Sequence, residues 1–375
     1  MTTNIAYLDH AASTPMRAEA VEAMLPYLTE CYANATGAHA MARAARRVID
    51  ERRDEMAALL GAEAGEIVFC ATGSEADNLA IFGVTRARGG IAVTTAAEHH
   101  AVLHPVEALK GRIVGVDSSG RVDLNQLEDA LDDRVSVVSV MAVNNEVGTI
   151  TPMAEVAEVV RRRAPQAVLH SDAVQALTWI DLRQVAQHVD AMSLSGHKFG
   201  GPKGVGVLMV RKHVGLAAMV LGGGQERARR SGTHDTAGIA ALTTAATLTH
   251  DGRVTVNDRV RGLRDRLVDT LMASVDGVIE TVGRADKVAG NAHVCFAGLE
   301  SEALLFLLDR AGVYCSAGSS CASGAVQISH VLAAMAIDRE LAAGSIRFSL
   351  GQASTEADID RVLDVVPGAV AQLRR

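Results

Sequence analysis

The sequence has little cysteine, little proline and no long apolar run, and each shortage removes a class of protein. Five cysteines, Cys31, Cys70, Cys295, Cys315 and Cys321, form no C-x-x-C pair. That excludes a disulfide framework and a zinc ribbon, suits free thiols in a reducing compartment, and leads us to expect no metal site. Seven prolines against 34 glycines leave no collagen-like or proline-rich tract. The longest apolar run, residues 135–143, is interrupted by two serines, whereas a membrane span takes ~20 residues. No basic, apolar leader opens the chain, so no export signal is expected. Lys and Arg total 36 against 44 Asp and Glu, a net charge of -8. This mild acidity argues against direct nucleic-acid binding. A cytoplasmic enzyme with no membrane partner is the expectation that survives.

What is present is ordinary globular usage, 49% apolar and 21% charged over 375 residues, enough for one large domain or two. Residues 66–70, 91–95, 113–117, 135–143, 167–172, 191–195 and 206–210 read as short strands, several apolar on both faces. Helical segments at 74–88, 102–110 and 152–163 separate them. This alternation predicts an α/β fold with a mostly parallel central sheet flanked by helices. Residues 39–60 carry Met41, Ala45, Val48, Met56 and Leu59 at helical spacing, with Gly61 as the stop. After about residue 250 the texture changes. A long basic helix is expected over 254–275, then strands at 291–296 and 345–349 among helices at 302–311, 331–336 and 356–366. We read this as a smaller α+β domain: 17–250 forms the large unit, and 1–16 with 251–375 the small one.

Ligands of open α/β sheets bind at the carboxyl ends of the strands, and most of the uncommon strings of the sequence fall there. Ala71-Thr-Gly-Ser-Glu-Ala-Asp-Asn78 follows a strand and opens a helix, which makes an anion site of free N–H groups with Ser74 as expected N-cap; an ordinary capped helix start is the plainer reading. Ser193-Leu-Ser-Gly-His-Lys198-Phe-Gly-Gly-Pro-Lys-Gly204 ends a strand on a lysine. A half-buried lysine has a lowered pKa and is a good amine for Schiff-base chemistry. Ser195 and His197 beside it can serve a phosphate. Asp172, just past another strand, can pair with a protonated pyridine nitrogen or cap a helix. His99 can lie over a ring, shuttle a proton or fill space. Asn145 can donate to a cofactor oxygen or form a turn. The run from Cys315 to Gly324 reads as an exposed small-residue loop in which a cysteine can ionise and react. Cys31, Cys70 and Cys295 read as packing residues. Arg347, between Ile346 and Phe348, can clamp a carboxylate or form an ion pair.

Together these strings resemble the cysteine desulfurases of the NifS/IscS type, pyridoxal-phosphate enzymes of fold type I in the class V aminotransferase group. The resemblance runs from Tyr7-Leu-Asp-His-Ala-Ala-Ser-Thr-Pro15 to Ile346-Arg-Phe-Ser-Leu-Gly351. It keeps the motif order, including Gly222-Gly-Gly-Gln-Glu-Arg227 and Arg230-Ser-Gly-Thr233. It implies that pyridoxal 5'-phosphate is carried by Lys198, with Asp172 on the ring nitrogen, Gln175 on the ring hydroxyl and His99 stacked on the ring. Gly73, Ser74, Ser195 and His197 would cradle the phosphate, and Thr233 would reach the phosphate of a neighbouring subunit, implying a homodimer. Asn34 and Arg347 would hold the substrate carboxylate. Cys321 would take sulfur from L-cysteine as a persulfide, leaving L-alanine, with His99 moving protons nearby. An unidentified acceptor protein would receive the sulfur.

Departures stand at His10, after Asn34 (Ala-Thr-Gly), in the Thr-Gly-Ser turn and at His234-Asp235. They suggest a divergent branch, serving either iron–sulfur cluster assembly or a specialised thio-modification. A selenocysteine lyase or another class V aminotransferase is the alternative enzyme. A non-catalytic pyridoxal-phosphate-binding regulator or sulfur-transfer scaffold is the alternative of another class, though it would not need Lys198, Asp172, His99 and Cys321 together.

Overall fold

Strand-forming segments buried on both faces account for the centre of the molecule. The computed structural model describes residues 5–318 and 328–375. Its main sheet has seven strands in the order Ile67–Cys70, Gly206–Val210, Ala191–Ser195, Val168–Asp172, Val135–Ser139, Ile91–Thr95 and Arg112–Val114. Gly206–Val210 runs antiparallel to both of its neighbours; the other pairings are parallel.

Alternate residues along each strand face opposite layers. Val68, Val137, Val168, Ala191 and Leu208 pack under helix Gly73–Arg88 through Ala76, Leu79, Ala80 and Val84. Phe69, Val138, Leu169, Met192 and Val207 face the other way, onto helices Ala40–Leu60 and Met153–Arg163 and the first part of Thr236–Ser274. A sheet covered on both faces has its free chemistry at the strand ends, and Thr95, Ser139, Asp172 and Ser195 all lie at carboxyl ends.

A second core forms on the antiparallel sheet Ser345–Ser349, Asn291–Phe296 and Val278–Glu280. Phe296, Ile346 and Phe348 pack there with Val260, Leu263 and Leu267 of the long helix and Ile359 and Val362 of helix Glu356–Leu373. The N-terminal strand Ala6–Tyr7 pairs with Val313–Tyr314 and buries Ala6 and Leu8 in this core.

Several boundaries differ from those expected. The long helix begins at Thr236, well before residue 254, and runs unbroken to Ser274. Its first part is buried on nearly every side (Ala237, Ile239, Ala240, Ala241, Leu242, Ala245), so it lacks the polar face by which an amphipathic helix is recognised. The strand expected over 135–143 ends at Ser139, where the chain leaves the sheet while still buried. Thr72, not Ser74, caps helix Gly73–Arg88 by accepting the Glu75 N–H at 3.0 Å. The last helix passes residue 366 and reaches Leu373. Cys70 and Cys295 are buried, but Cys31 is exposed just beyond helix Ala18–Thr29. Cys315 is not an exposed loop thiol. It packs against the second core, where burial pushes its thiol up to about 12.

Gly206 faces the turn before Gly73, where a Cβ would lie 2.6 Å from the Thr72 carbonyl carbon and 2.8 Å from the Leu194 oxygen, both rigid backbone. Gly206→Ala is therefore expected to cost about 1–3 kcal/mol, read as a lower denaturation midpoint. An unchanged midpoint would contradict this packing.

Candidate active site

Lys198 closes the short turn Gly196–Lys198 after strand Ala191–Ser195. Its Nζ donates to the carbonyls of Ala11 (2.7 Å) and Ala12 (2.9 Å). Gln175 Nε2 donates to the same Ala11 oxygen at 2.7 Å. The amine thus has only neutral acceptors in contact. Burial, followed by the Arg347 charge, pulls its pKa down to about 8, with Asp172 and Asp9 opposing. Roughly a tenth of such amines are free at neutral pH, against fewer than one in a thousand for an ordinary lysine.

Asp172 ends its strand buried, accepting the Val174 N–H at 2.9 Å. Burial pushes its carboxyl up to about 6, with that hydrogen bond and Lys198 opposing. Two further carboxylates lie buried nearby. Asp77 is raised by burial and by the Asp172 charge. Glu98, which accepts from Thr95 Oγ1 and the Met141 N–H, is pushed up to about 8, mainly by burial. Like charges in a low dielectric do not all ionise. Asp172, the one opposed by Lys198, therefore carries the negative charge near neutral pH. Behind it His170 bridges Ser139 and Ser193, and burial holds it neutral at about 3.

Gly73 is buried where a Cβ would meet Val174 Cγ2 at 2.8 Å and Ser195 Cβ at 3.0 Å, so the helix N-terminus and Ser195 converge. Ser74 is exposed at this N-terminus. His197 is half-buried, its Nδ1 3.3 Å from Ser13 Oγ, and burial together with Lys198 lowers its pKa to about 4. His99 caps helix His100–Ala108 by accepting the Ala101 N–H on Nδ1, which leaves Nε2 to carry the proton of the neutral ring.

Arg347 is buried, with one terminal nitrogen on Asp9 Oδ1 and the other on the Asn145 carbonyl, both at 2.8 Å. Its Nε has no partner among the described residues. A cavity of about 320 Å³ opens beside Lys198, lined among others by His10, Asn145, Gln175, Trp179 and Asn291.

The structure thus brings together Gly73, His99, Asn145, Asp172, Gln175, Ser195, His197, Lys198 and Arg347. Asn34 does not join them. It is exposed, and its Oδ1 accepts from Thr36 N and Oγ1. Thr233 is likewise exposed. Cys321 lies outside the described residues. Sequence reasoning missed the Ala11 and Ala12 carbonyls and the Asp9–Arg347 pair, because no local pattern marks a contact spanning 338 positions. It also passed over Asp77, Glu98 and Glu146, although Asp77 stands in the string 71–78 and the other two adjoin His99 and Asn145. Among the described residues no group of three or more His, Cys, Asp or Glu is set to hold a metal, and no helix is long and apolar enough to cross a membrane.

This donor set fits an aromatic aldehyde phosphate. A depressed amine can bond an aldehyde carbon, a buried carboxylate can face a ring cation, and the Gly73 cradle admits a phosphate that a side chain would block.

Comparison with known proteins agrees. The model of the family described as Aminotransferase class-V matches residues 6–362. An IscS-like cysteine desulfurase of Mycobacterium tuberculosis is 46% identical over 99% of this chain and 98% of its own. A cysteine desulfurase of Gluconacetobacter diazotrophicus is 41% identical over 99% and 94%. Among solved structures, a NifS-like protein superposes with a TM-score of 0.92 at 32% identity, covering 98% of this chain and 100% of that one. DndA from Streptomyces lividans has a TM-score of 0.77 at 31% identity, over 92% and 99%.

Reductive alkylation of the cofactor-free protein across a pH series should label Lys198 half-maximally near pH 8. Asp172→Asn should move that midpoint lower, since it removes a negative charge that favours the ammonium. A midpoint above about 10, the value of an ordinary lysine, would contradict this reading of the pocket.

Proposed function

This chain belongs to the class V aminotransferase family, and on that premise we propose that it is a pyridoxal-phosphate-dependent cysteine desulfurase. The observation that carries the reading is the full-length similarity to proteins named cysteine desulfurase, at 46% and 41% identity, joined to an amine at the end of a strand whose proton the fold disfavours. A fold relative whose title describes SspA in complex with cysteine (TM-score 0.81, 28% identity, 93% of this chain and 99% of that one) supports cysteine as substrate.

In this reading Lys198 is the attachment point of the cofactor. Asp172 pairs with the ring nitrogen, Gln175 and Asn145 meet ring oxygens, and His99 covers a ring face. Gly73, Ser74, Ser195 and His197 receive the phosphate. When bound, the cofactor supplies an electron sink for the pair left on the substrate α-carbon. Each side chain then has a defined task. Asp172, ionised near neutral pH, holds a positive charge on the ring nitrogen. Lys198, with its lowered pKa, takes the α-proton and returns it. Arg347, whose two terminal nitrogens are held by Asp9 and the Asn145 carbonyl and whose Nε is buried, meets the substrate carboxylate by exchanging one of those partners for it; Asn34 would assist only after the 34–37 turn moves. The Nε2 proton of His99 serves the sulfur as its bond to carbon breaks. The Cys321 thiolate takes that sulfur. The balance is L-cysteine plus the Cys321 thiol giving L-alanine plus the Cys321 persulfide.

The exposed Thr233 suits contact with a neighbouring subunit, so we assign a homodimer. The free thiols suit the cytoplasm, with a separate acceptor protein taking the sulfur.

The wild type given L-cysteine and a reducing thiol should release alanine and sulfide in equal amounts. Cys321→Ser should lose sulfide release, and Lys198→Ala both products. A keto acid in place of sulfide would move the protein to the aminotransferase reading. Sulfide release indifferent to Cys321 would favour a lyase, and no turnover by the loaded wild type would favour a regulator or scaffold.

A further inference from the structure

Residues 226–230 are fastened to the edge strand Ile67–Cys70 and to the helix that follows it. The buried Glu226 carboxylate is the first anchor. It accepts from both terminal nitrogens of buried Arg53 at 2.6 Å, from the Phe69 N–H at 2.9 Å and from His234 Nε2 at 2.7 Å. Arg53 in turn donates to the Ile67 carbonyl at 2.8 Å. Around this anchor the backbone is strained. Glu226, Arg227 and Ala228 have φ of 50°, 57° and 61° in succession, and none of them is glycine. Such left-handed residues persist only where their surroundings over-determine them.

The second anchor follows directly. Arg230 Nε donates to Glu75 Oε1 at 2.8 Å, with only 19% and 21% of the two side chains exposed. Glu75 Oε2 accepts the Ala71 N–H at 2.6 Å. The Glu75 carboxylate therefore stands in the first turn of helix Gly73–Arg88, bonded to the chain that leads into the Gly73 cradle. A phosphate arriving at Gly73, Ser74 and Ser195 would meet a like charge on its own helix. Helix stability does not call for the Arg230 pair. Thr72 already caps this helix, and a carboxylate in a first turn is favourable without any cation. A cation placed there answers a second anion.

We propose that Arg230 is a positioning residue for the cofactor phosphate: held by the turn Glu226–Ala228, it neutralises Glu75 so that the N-terminus of helix Gly73–Arg88 can take a phosphate dianion. The proposal rests on the pyridoxal-phosphate reading and deepens it. The guanidinium acts through Glu75, which sets it apart from a direct phosphate ligand.

Full-length protein stripped of cofactor tests this, titrated with pyridoxal 5'-phosphate and, separately, with pyridoxal, which lacks the phosphate. Arg230→Gln should weaken binding of the phosphate ester about tenfold, the scale of one charged hydrogen bond, and leave pyridoxal binding nearly unchanged. Arg230→Lys keeps the charge and should recover most of the loss. Glu75→Gln keeps an acceptor for the Ala71 N–H and alone should bind the phosphate ester at least as tightly as the wild type. In the Glu75→Gln background, Arg230→Gln should cost little further, because the charge it answers is gone. Equal losses for the two ligands would reveal a merely structural role, and an undiminished loss in the Glu75→Gln background would reveal a direct phosphate contact; either overturns the proposal. Weaker binding of the phosphate ester by Glu75→Gln alone would overturn it too, and that variant leaves the Glu226 anchor intact if Arg230→Gln does not fold. A wild type that binds neither ligand would defeat the cofactor reading itself. A wild type that prefers the phosphate ester, beside an Arg230→Gln with the same preference, would defeat the role of Arg230 alone.

Discussion

The Lys198 ammonium sits where no carboxylate touches it, and this unfavourable placement is the constraint on which the site depends. Two backbone carbonyls hold the amine, Asp172 and Asp9 act only at a distance, and Arg347 adds a like charge. A contacting carboxylate would fix the proton on the nitrogen and end its use as a nucleophile or base. The fold keeps the nearest carboxylates apart by purpose. Asp172 stays charged, Asp77 and Glu98 are buried toward their neutral forms, and Asp9 is engaged by Arg347.

Neither sheet builds this arrangement by itself. The main sheet presents Asp172, Ser195 and Lys198 at its strand ends. The carbonyls that hold the amine follow the N-terminal strand, which belongs to the second core. Arg347 comes from the second sheet and reaches Asn145 on a turn of the first. The turn Asn144–Gly148 is the hinge point of the assembly: it receives Arg347 through Asn145, Asn291 through the Glu146 carbonyl, and Ser329 through the Glu146 carboxyl.

Local patterns made the strands readable, since runs such as 191–195 and 206–210 are apolar on both faces and end abruptly. The turn that opens helix Gly73–Arg88 and the lysine after strand Ala191–Ser195 were placed at strand ends for the same reason: each is an uncommon string following a short apolar run. The start of the long helix was not, because residues 236–246 are buried nearly all round and show no amphipathic period. The Thr72 cap was displaced by two positions, as boundaries often are when several small polar residues adjoin. Pairings set by tertiary packing, such as Arg347 with Asp9 or Glu146 with Ser329, leave no trace in the neighbouring sequence. Asn34 was legible only by resemblance, and the structure turns its side chain to its own loop.

The central claim is that this lysine pocket delivers sulfur to one cysteine of its own chain. Mass spectrometry of the loaded enzyme after a single turnover with L-cysteine, without reducing thiol, tests it most directly. The account predicts one added sulfur atom, confined to the peptide containing Cys321, for each alanine released. Alanine or keto acid formed with no sulfur on that peptide, or sulfur carried by another of the cysteines, would contradict it.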